Sequence, residues 1–382
     1  MITSLALGRR GYLVTFTAIS LILLFLAFTG HGPRRRDRPV PPHVPTHHPK
    51  APESAAELET LCKTRGFTPY HAGPATHRKV YDLFLFAHEL DWLEIRLNTL
   101  APFVDYFVIV EAPTTFTGVP KPLYLQGNWS RFSQFHGQII HKVVTDPGQV
   151  IGTSTWNHED FFRDSLFNSV FPTLLYSEKE AQEGDVLLVS DVDEIPKPDT
   201  LNVLRHCQFP DRLTLQSRFY YYSFQWLHIG EEWPHPQATT YHGLRKTLTP
   251  NHLRNGIGGI SRIPFWSAFL RWQQKASIPD AAWHCSSCFS TIEEMRTKMS
   301  SFSHTPLNTE ENRDEKTMLE RVRKGLDLFG RAGERYARVE NNQDVPKYIL
   351  DHRTKFKYLL NRDGEDAGFS DWTPPGDWLR GK

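Results

Sequence analysis

The sequence is poor in cysteine, with only four among its 382 residues, so a dense disulfide scaffold cannot be what holds this chain together. It also has no excess of charge, because 44 Lys and Arg residues balance 43 Asp and Glu residues to a formal net charge of +1. A near-neutral protein has no strong overall field to attract a polyanion, and we expect no nucleic-acid partner. Any anionic ligand must therefore be bound by a few local side chains.

The chain is instead rich in apolar and aromatic residues. Hydrophobic residues make up 39% of it and aromatic residues 13%, which excludes disorder caused by low hydrophobicity for most of its length. Residues 77–382 are enough for one large domain or two tightly joined ones, and we take this range as the folded part.

One uncharged apolar stretch, residues 11–29, lies near the start of the chain. At about 1.5 Å per residue it reaches across a hydrocarbon core, so we predict a transmembrane signal-anchor rather than a cleaved signal peptide. Residues 1–10 precede it as a short cytoplasmic tail, and the Pro-, His- and Arg-rich residues 30–76 are predicted to be a disordered stalk. Arginines flank the span on both sides and leave its orientation open, while a glycosylation sequence at Asn128 favours a lumenal domain.

From residue 80 onward, short apolar runs alternate with helical patterns. This alternation predicts an α/β fold with a mostly parallel central sheet flanked by helices. The predicted strands are 82–86, 106–110, 139–144, 186–189 and 212–224, and the predicted helices are 89–100, 157–170, 291–301, 310–329 and 348–360.

The segment VLLVSDVDEIP, residues 186–196, carries the clearest chemical pattern. A fully apolar strand ends there in Asp191, Asp193 and Glu194, and ligands of open α/β sheets collect at the carboxyl ends of strands. Carboxylates in that position can hold Mn²⁺ or Mg²⁺, which prefer oxygen ligands. The alternative is a solvated turn after a strand. A divalent ion here would neutralise a departing diphosphate, which suits transfer from a nucleotide sugar.

A second pattern is WHCSSCF, residues 283–289. His284 is a candidate third metal ligand, with a buried, hydrogen-bonded histidine as the alternative. A zinc site would need four ligands, and this segment supplies at most three. A thioredoxin-like redox pair would follow a strand, and no strand is evident before these cysteines. A disulfide is favoured for the cysteines, and four cysteines allow three connectivities.

Six segments in this order resemble one known family: DLFLFAHELDWLEIRLNTL, VDYFVIVEAPTTFTGVPKPLY, LLVSDVDEIP, WHCSSCF, SFSHT and PKYILDHRTKFKYLL. They are similar to the landmarks of glycosyltransferase family 17, the β-1,4-mannosyl-glycoprotein 4-β-N-acetylglucosaminyltransferases. The resemblance implies a GT-A-like nucleotide-sugar fold in a catalytic domain over 77–382, and a single-pass type II protein of the Golgi membrane with that domain lumenal. It also implies inverting transfer of N-acetylglucosamine from UDP-GlcNAc to a mannose of a glycoprotein N-glycan, forming a β-1,4 linkage.

The resemblance also suggests roles for individual residues. By position, the metal ligands would be Asp191, Asp193 and His284, and the donor-binding residues would be Glu89, Arg96, Glu111, Arg163 and Asp191. Each has a plainer alternative, namely a helix-surface ion pair for Glu89 and Arg96, a strand-end turn for Glu111, and an exposed i, i+4 pair with Glu159 for Arg163.

An inverting transfer needs one general base, and the sequence offers Asp280 and the adjacent Glu231 and Glu232 without choosing among them. Two other functional classes stay open. One is a membrane-tethered glycan-binding module without turnover, in which Trp226, Trp233, Trp266 and Trp272 would stack on sugars. The other is a metal-dependent phosphohydrolase, which would need more metal ligands than the sequence offers.

Overall fold

The computed structural model describes residues 51–71, 77–148, 154–258, 264–301 and 305–374. No helix in these ranges is long and apolar enough to cross a membrane. The predicted span at 11–29 and the first part of the predicted stalk lie outside the described residues.

The described ranges contain twelve strands and twelve α-helices. The strands are β1 (Thr68–Pro69), β2 (Val80–Phe86), β3 (Tyr106–Glu111), β4 (Ile139–Val143), β5 (Val186–Asp191), β6 (Glu194–Pro196), β7 (Cys207–Gln208), β8 (Arg212–Tyr221), β9 (Ser223–His228), β10 (Gln237–Thr240), β11 (Lys275–Ser286) and β12 (Tyr336–Arg338). The helices are α1 (Ala55–Lys63), α2 (Leu90–Leu100), α3 (Tyr124–Gly127), α4 (Thr155–Asn168), α5 (Pro198–His206), α6 (Pro250–Arg254), α7 (Pro264–Gln273), α8 (Ile292–Ser301), α9 (Glu310–Arg313), α10 (Glu315–Lys324), α11 (Lys347–Asp351) and α12 (Lys357–Leu360).

Four strands form a parallel half of the main sheet, in the order β5-β2-β3-β4. Strands β2, β3 and β5 are buried on both faces, because neighbouring residues of one strand contribute to different apolar clusters, whereas the edge strand β4 is partly exposed. Phe84 packs in one cluster, whereas Leu83 packs in the other with Leu166 and Phe162 of α4. Burial on both faces explains why these three strands are nearly continuous apolar runs in the sequence.

The rest of the sheet makes the predicted fold class wrong. Strand β10 pairs antiparallel with both β5 and β8, and β9 and β12 continue antiparallel from there. Strand β11 runs parallel to β8 and antiparallel to β6. The ten-stranded sheet is therefore mixed and is not the mostly parallel GT-A-like sheet that was expected. We call β6 and β8–β12 the antiparallel half, because all their pairings except that of β8 with β11 are antiparallel.

The error comes mainly from β11, the longest strand, which the sequence did not reveal. Its middle contains Pro279, which is unfavourable in a central strand, and Asp280, whose φ of 52° lies in the left-handed region. The register against β8 shifts between Ile278 and Ala282, so a bulge absorbs both residues. The local pattern on either side of the bulge is too short to identify a strand by itself.

The later helices follow the predictions in part. The predicted helix at 291–301 is confirmed, and its capping box forms through the Glu294 N–H to Thr291 Oγ1 bond of 3.0 Å. The predicted helix at 310–329 is two helices, and Gly325 ends the second in the left-handed conformation. The predicted helix at 348–360 is likewise split into α11 and α12.

Part of the predicted disordered stalk belongs to the folded domain, which is a further correction. Helix α1 begins after Ser54, whose side chain accepts the Glu57 N–H. A disulfide joins Cys62 of α1 to Cys207, and β1 pairs with β7 directly beside it. The ordered domain thus extends upstream of residue 77, and Cys285–Cys288 is the second disulfide.

Candidate active site

The acidic segment after β5 lies where the two halves of the sheet meet. Asp191 is the last residue of β5, and after a two-residue turn the chain enters β6 at Glu194. Because β6 pairs with β11 in the register Glu194 to His284, the histidine of the WHCSSCF segment reaches the same edge. The structure therefore brings Asp191, Asp193 and His284 to one end of the sheet.

Arg96 of α2 holds the backbone of this segment in place through hydrogen bonds. Its side chain is fully buried and forms an ion pair of 2.6 Å with the equally buried Asp82 of β2. Nη1 donates to the carbonyl oxygens of Asp191 at 3.1 Å and of Glu194 at 2.7 Å, and Nη2 donates to Ser190 Oγ. With all its donors used by protein, Arg96 acts as a positioning residue rather than a group that touches a nucleotide.

Arg254, at the end of α6, neutralises two of the carboxylates. Its guanidinium lies 2.7 Å from Asp191 Oδ2, 2.8 Å from Glu194 Oε2 and 2.9 Å from Glu194 Oε1. Burial alone would raise the pKa of Glu194, but Arg254 outweighs it and holds that pKa well below its usual range. The second oxygen of Asp191 is 3.5 Å from Arg163 of α4, which also pairs with Glu159 at 2.7 Å. Arg163 therefore lies at the acidic segment, and its predicted donor-binding role stays a prediction.

Asp193 faces a different set of side chains. Lys298 of α8 lies 3.3 Å from Asp193 Oδ2, and His284 Nδ1 lies 3.8 Å from Asp193 Oδ1, which is too far for a hydrogen bond. The imidazole is stacked against both Phe219 and Trp233, with centroids 5.0 and 5.2 Å away. Within the described ranges, His284 Nδ1 is buried and has no hydrogen-bond partner.

This geometry bears on the predicted metal ligands. Among the described residues, no group of three or more His, Cys, Asp and Glu side chains is arranged to hold an ion. The carboxylate of Asp191 is paired with arginines. The predicted metal ligands that remain are therefore Asp193 and the unpaired nitrogen of His284. Such a pair suits a cation that takes its other ligands from phosphate oxygens and water, as Mg²⁺ commonly does. The residues present fit a shared site but not a complete protein cage.

Glu89 and Glu111, both predicted to bind the donor, differ in exposure. Glu89 is half-buried at the start of α2, where its Oε2 accepts the His88 N–H at 2.9 Å. Burial acts to raise the pKa of Glu89, but His88 and Lys298 outweigh it and lower the pKa to about 2. Glu111 is fully buried and accepts the Leu125 N–H at 2.9 Å, so it caps α3 instead of facing a ligand.

The candidate bases Asp280 and Glu232 form a separate group at the bulge of β11, which precedes His284 in that strand. Asp280 Oδ1 is bound by Lys197 at 2.6 Å and by Arg218 at 2.9 Å. Both oxygens of Glu232 accept the Asp280 N–H at 3.2 Å. Burial and the nearby Asp280 carboxylate raise the pKa of Glu232. Of the two, only Glu232 lacks a direct cationic partner within the described ranges.

Several residues at this site were not recognised from sequence patterns. Arg254 and Lys298 lie 60 and 105 residues from their acidic partners, so no local pattern connects them. Trp233, considered only as a sugar platform, donates its indole N–H to Glu194 Oε1 at 2.7 Å. The other predicted sugar platforms are divided, since Trp226 is buried while Trp266 and Trp272 of α7 are exposed.

The profile of glycosyltransferase family 17 matches residues 10–256 and 266–365 of this chain. The chain belongs to glycosyltransferase family 17. This result confirms the family resemblance carried by the six motifs, and it places the chain among the glycosyltransferases.

Three curated relatives of this family 17 chain bear the name Beta-1,4-mannosyl-glycoprotein 4-beta-N-acetylglucosaminyltransferase. The proteins from Rattus norvegicus and Mus musculus are 23% identical over 304 residues, covering 74% of this chain and 54% of their own length. The Homo sapiens protein is 23% identical over 322 residues, covering 79% of this chain and 58% of its own length. The chain thus spans little more than half the length of these relatives.

Proposed function

We propose that this protein transfers N-acetylglucosamine from UDP-GlcNAc to a mannose of a glycoprotein N-glycan, inverting the anomeric centre to give a β-1,4 linkage. Family membership and the names of the relatives support the class of reaction. The observation that carries the proposal is the pair of Asp193 and His284 at the carboxyl edge of β5, with Lys298 beside it and two arginines on the neighbouring Asp191.

We propose that Asp193 and His284 hold Mn²⁺ or Mg²⁺ together with the donor diphosphate. The bound ion supplies Lewis-acid stabilisation of the negative charge that develops on the leaving group. The chain itself adds the ammonium of Lys298 and the guanidinium groups of Arg163 and Arg254, all within 3.5 Å of a carboxylate of the acidic segment. These cations offset the charge of the diphosphate in a partly dehydrated place, where such interactions are strong.

For the general base, the observations favour Glu232 over Asp280. A base that takes the proton of a mannose hydroxyl works best when its pKa is near the working pH, and the pKa of Glu232 is raised. Asp280 is held by two cations at 2.6 and 2.9 Å, which weakens it as a base. We expect Glu232→Gln to lower kcat while leaving the affinity for UDP unchanged, and loss of UDP affinity instead would contradict this role.

The direct test is incubation of the full chain with UDP-GlcNAc, Mn²⁺ and a panel of N-glycoprotein acceptors. We expect UDP release that depends on acceptor and metal, and a product whose new linkage is β-1,4 to mannose. Release of UDP without any acceptor would favour the phosphohydrolase alternative. Saturable glycan binding without release would favour the binding module.

We further propose that the domain resides in the Golgi lumen. Its two disulfides support an oxidising compartment, since such bonds rarely persist in the cytosol. Protease protection of the domain in sealed Golgi vesicles tests this location, and digestion without detergent would contradict it.

A further inference from the structure

His88 lies directly after β2 and before Glu89, at the same edge of the sheet as the acidic segment. The residue is only 8% exposed, and its ring is stacked on Phe289 with centroids 5.6 Å apart and an interplanar angle of 17°. Its Nε2 is buried and has no hydrogen-bond partner in the described part of the chain. A buried polar atom without a partner lowers stability, so its presence calls for a ligand that supplies one.

The surroundings of His88 are positively charged. The ammonium of Lys298 lies 5.5 Å from the centroid of the same Phe289 ring and 3.3 Å from Asp193 Oδ2. On another side, Lys121 Nζ donates to the carbonyl oxygen of Ala87 at 3.3 Å, one residue before His88. Two lysines thus reach the immediate neighbourhood of a histidine whose own nitrogen is unpaired, and Glu89 is the adjoining carboxylate.

We propose that His88 Nε2 donates a hydrogen bond to a phosphate oxygen of the nucleotide diphosphate. This assignment rests on the proposed function, because Lys298 lies over the same Phe289 ring as His88 and pairs with Asp193, which would share an ion with that diphosphate. An anionic oxygen is the acceptor that fits a buried donor with two lysines nearby. Phe289 acts with His88 by holding the imidazole ring in a fixed plane.

The test is His88→Phe in the full chain, with UDP and uridine binding measured by calorimetry in the presence of Mn²⁺. Phenylalanine keeps the stacking on Phe289 and removes the nitrogen. We expect the Kd for UDP to rise about 10-fold or more, since hydrogen bonds to charged groups are worth this much, while uridine affinity stays the same. The melting temperature should be equal to or above that of the wild type, because an unpaired buried nitrogen has been removed.

A control is His352→Phe, which changes an exposed histidine whose ring contacts Tyr348 and which pairs with no residue of the acidic segment, and it should leave both affinities unchanged. Unchanged UDP affinity in His88→Phe overturns the inference, and so does an equal loss for UDP and uridine. A fall in melting temperature without loss of UDP affinity shows a purely structural role and also overturns it.

If His88→Phe does not fold, His88→Gln and His88→Leu decide the matter. The amide of glutamine should retain more UDP affinity than leucine, and equal affinities contradict the proposal. A wild-type chain that binds no UDP at all contradicts the proposed function itself, so the two failures are distinct.

Discussion

The parallel half of the sheet supplies carboxylates to the site, whereas the segments that follow it in the chain supply most of the cations that pair with them. The parallel half ends in the carboxylates of Asp191 and Asp193, and their backbone is fixed from within that half by Arg96. The segments that follow later in the chain supply Arg254 and Lys298, which neutralise those carboxylates. Neither half can carry this site alone, because each would leave partly buried charge without a partner.

The largest expected effect comes from removing a carboxylate that the parallel half contributes to the site. Asp193→Ala removes one of the two proposed metal ligands, so we expect transfer activity to fall by roughly 10²- to 10³-fold with little change in melting temperature. Acceptor-dependent UDP release with Mn²⁺ measures it. Asp199→Ala, in the first turn of α5, is the matched control and should keep its activity. Full activity of Asp193→Ala would refute the metal assignment.

The next largest effect comes from removing Arg254, the cation that pairs with Glu194. Arg254→Ala leaves Glu194 buried without its cation, so the free energy of unfolding should fall by about 3–5 kcal/mol. Urea unfolding measures this change, with the exposed Arg245→Ala as control. Adding Glu194→Gln should restore part of the lost stability, because no carboxylate would then lack a partner. No recovery in the double variant would show that packing, not charge, dominates here.

A smaller effect separates the two disulfides. The Cys62–Cys207 bond closes a loop with a sequence separation of 145, whereas Cys285–Cys288 spans only 3. Because a longer loop loses more entropy on closure, replacing Cys62 and Cys207 by Ala should lower the free energy of unfolding by about 2–5 kcal/mol, more than the other pair. Thermal unfolding of both double variants compares them directly, and a larger loss for Cys285 and Cys288 would contradict the expectation.

The smallest effect concerns pH and His242, which bridges Asp211 before β8 and Glu183 before β5. The hydrogen bond to Asp211 raises the pKa of His242 to about 9 in spite of partial burial, and Glu183 adds to this. Since the folded pKa exceeds the unfolded value of about 6.5, the stabilisation is full below pH 6.5 and is lost as the pH rises through 9. Stability of the wild type should fall over that range more than that of His242→Gln, as measured by urea unfolding. Parallel curves would count against the bridge.

The two halves also differ in how well the sequence predicted them. The strands of the parallel half were found within a few residues, because most of them are nearly continuous apolar runs. The antiparallel half was largely missed, because β10 is four residues long and β11 contains a proline and a bulge. Pairing between distant segments decides those strands, and local patterns carry little of that information.

The site divides in the same way. Asp191, Asp193 and His284 were identified from short motifs, and the structure brings them to one edge. Arg254 and Lys298 come from helices whose sequences show no unusual feature, so only the tertiary structure reveals them. Arg96 and Glu111 were noticed in the sequence, but both are buried and take positioning roles. A sequence pattern does not report burial, so it cannot distinguish such a role from contact with a ligand.

The bond between Cys62 and Cys207 has a practical consequence for recombinant work. A fragment trimmed to begin at residue 77 would leave Cys207 with a free thiol and strip away the helix that covers it. Such a product would be prone to mispaired dimers, so a secreted version should retain Ser54 and everything downstream, and it should be made in a host that oxidises thiols.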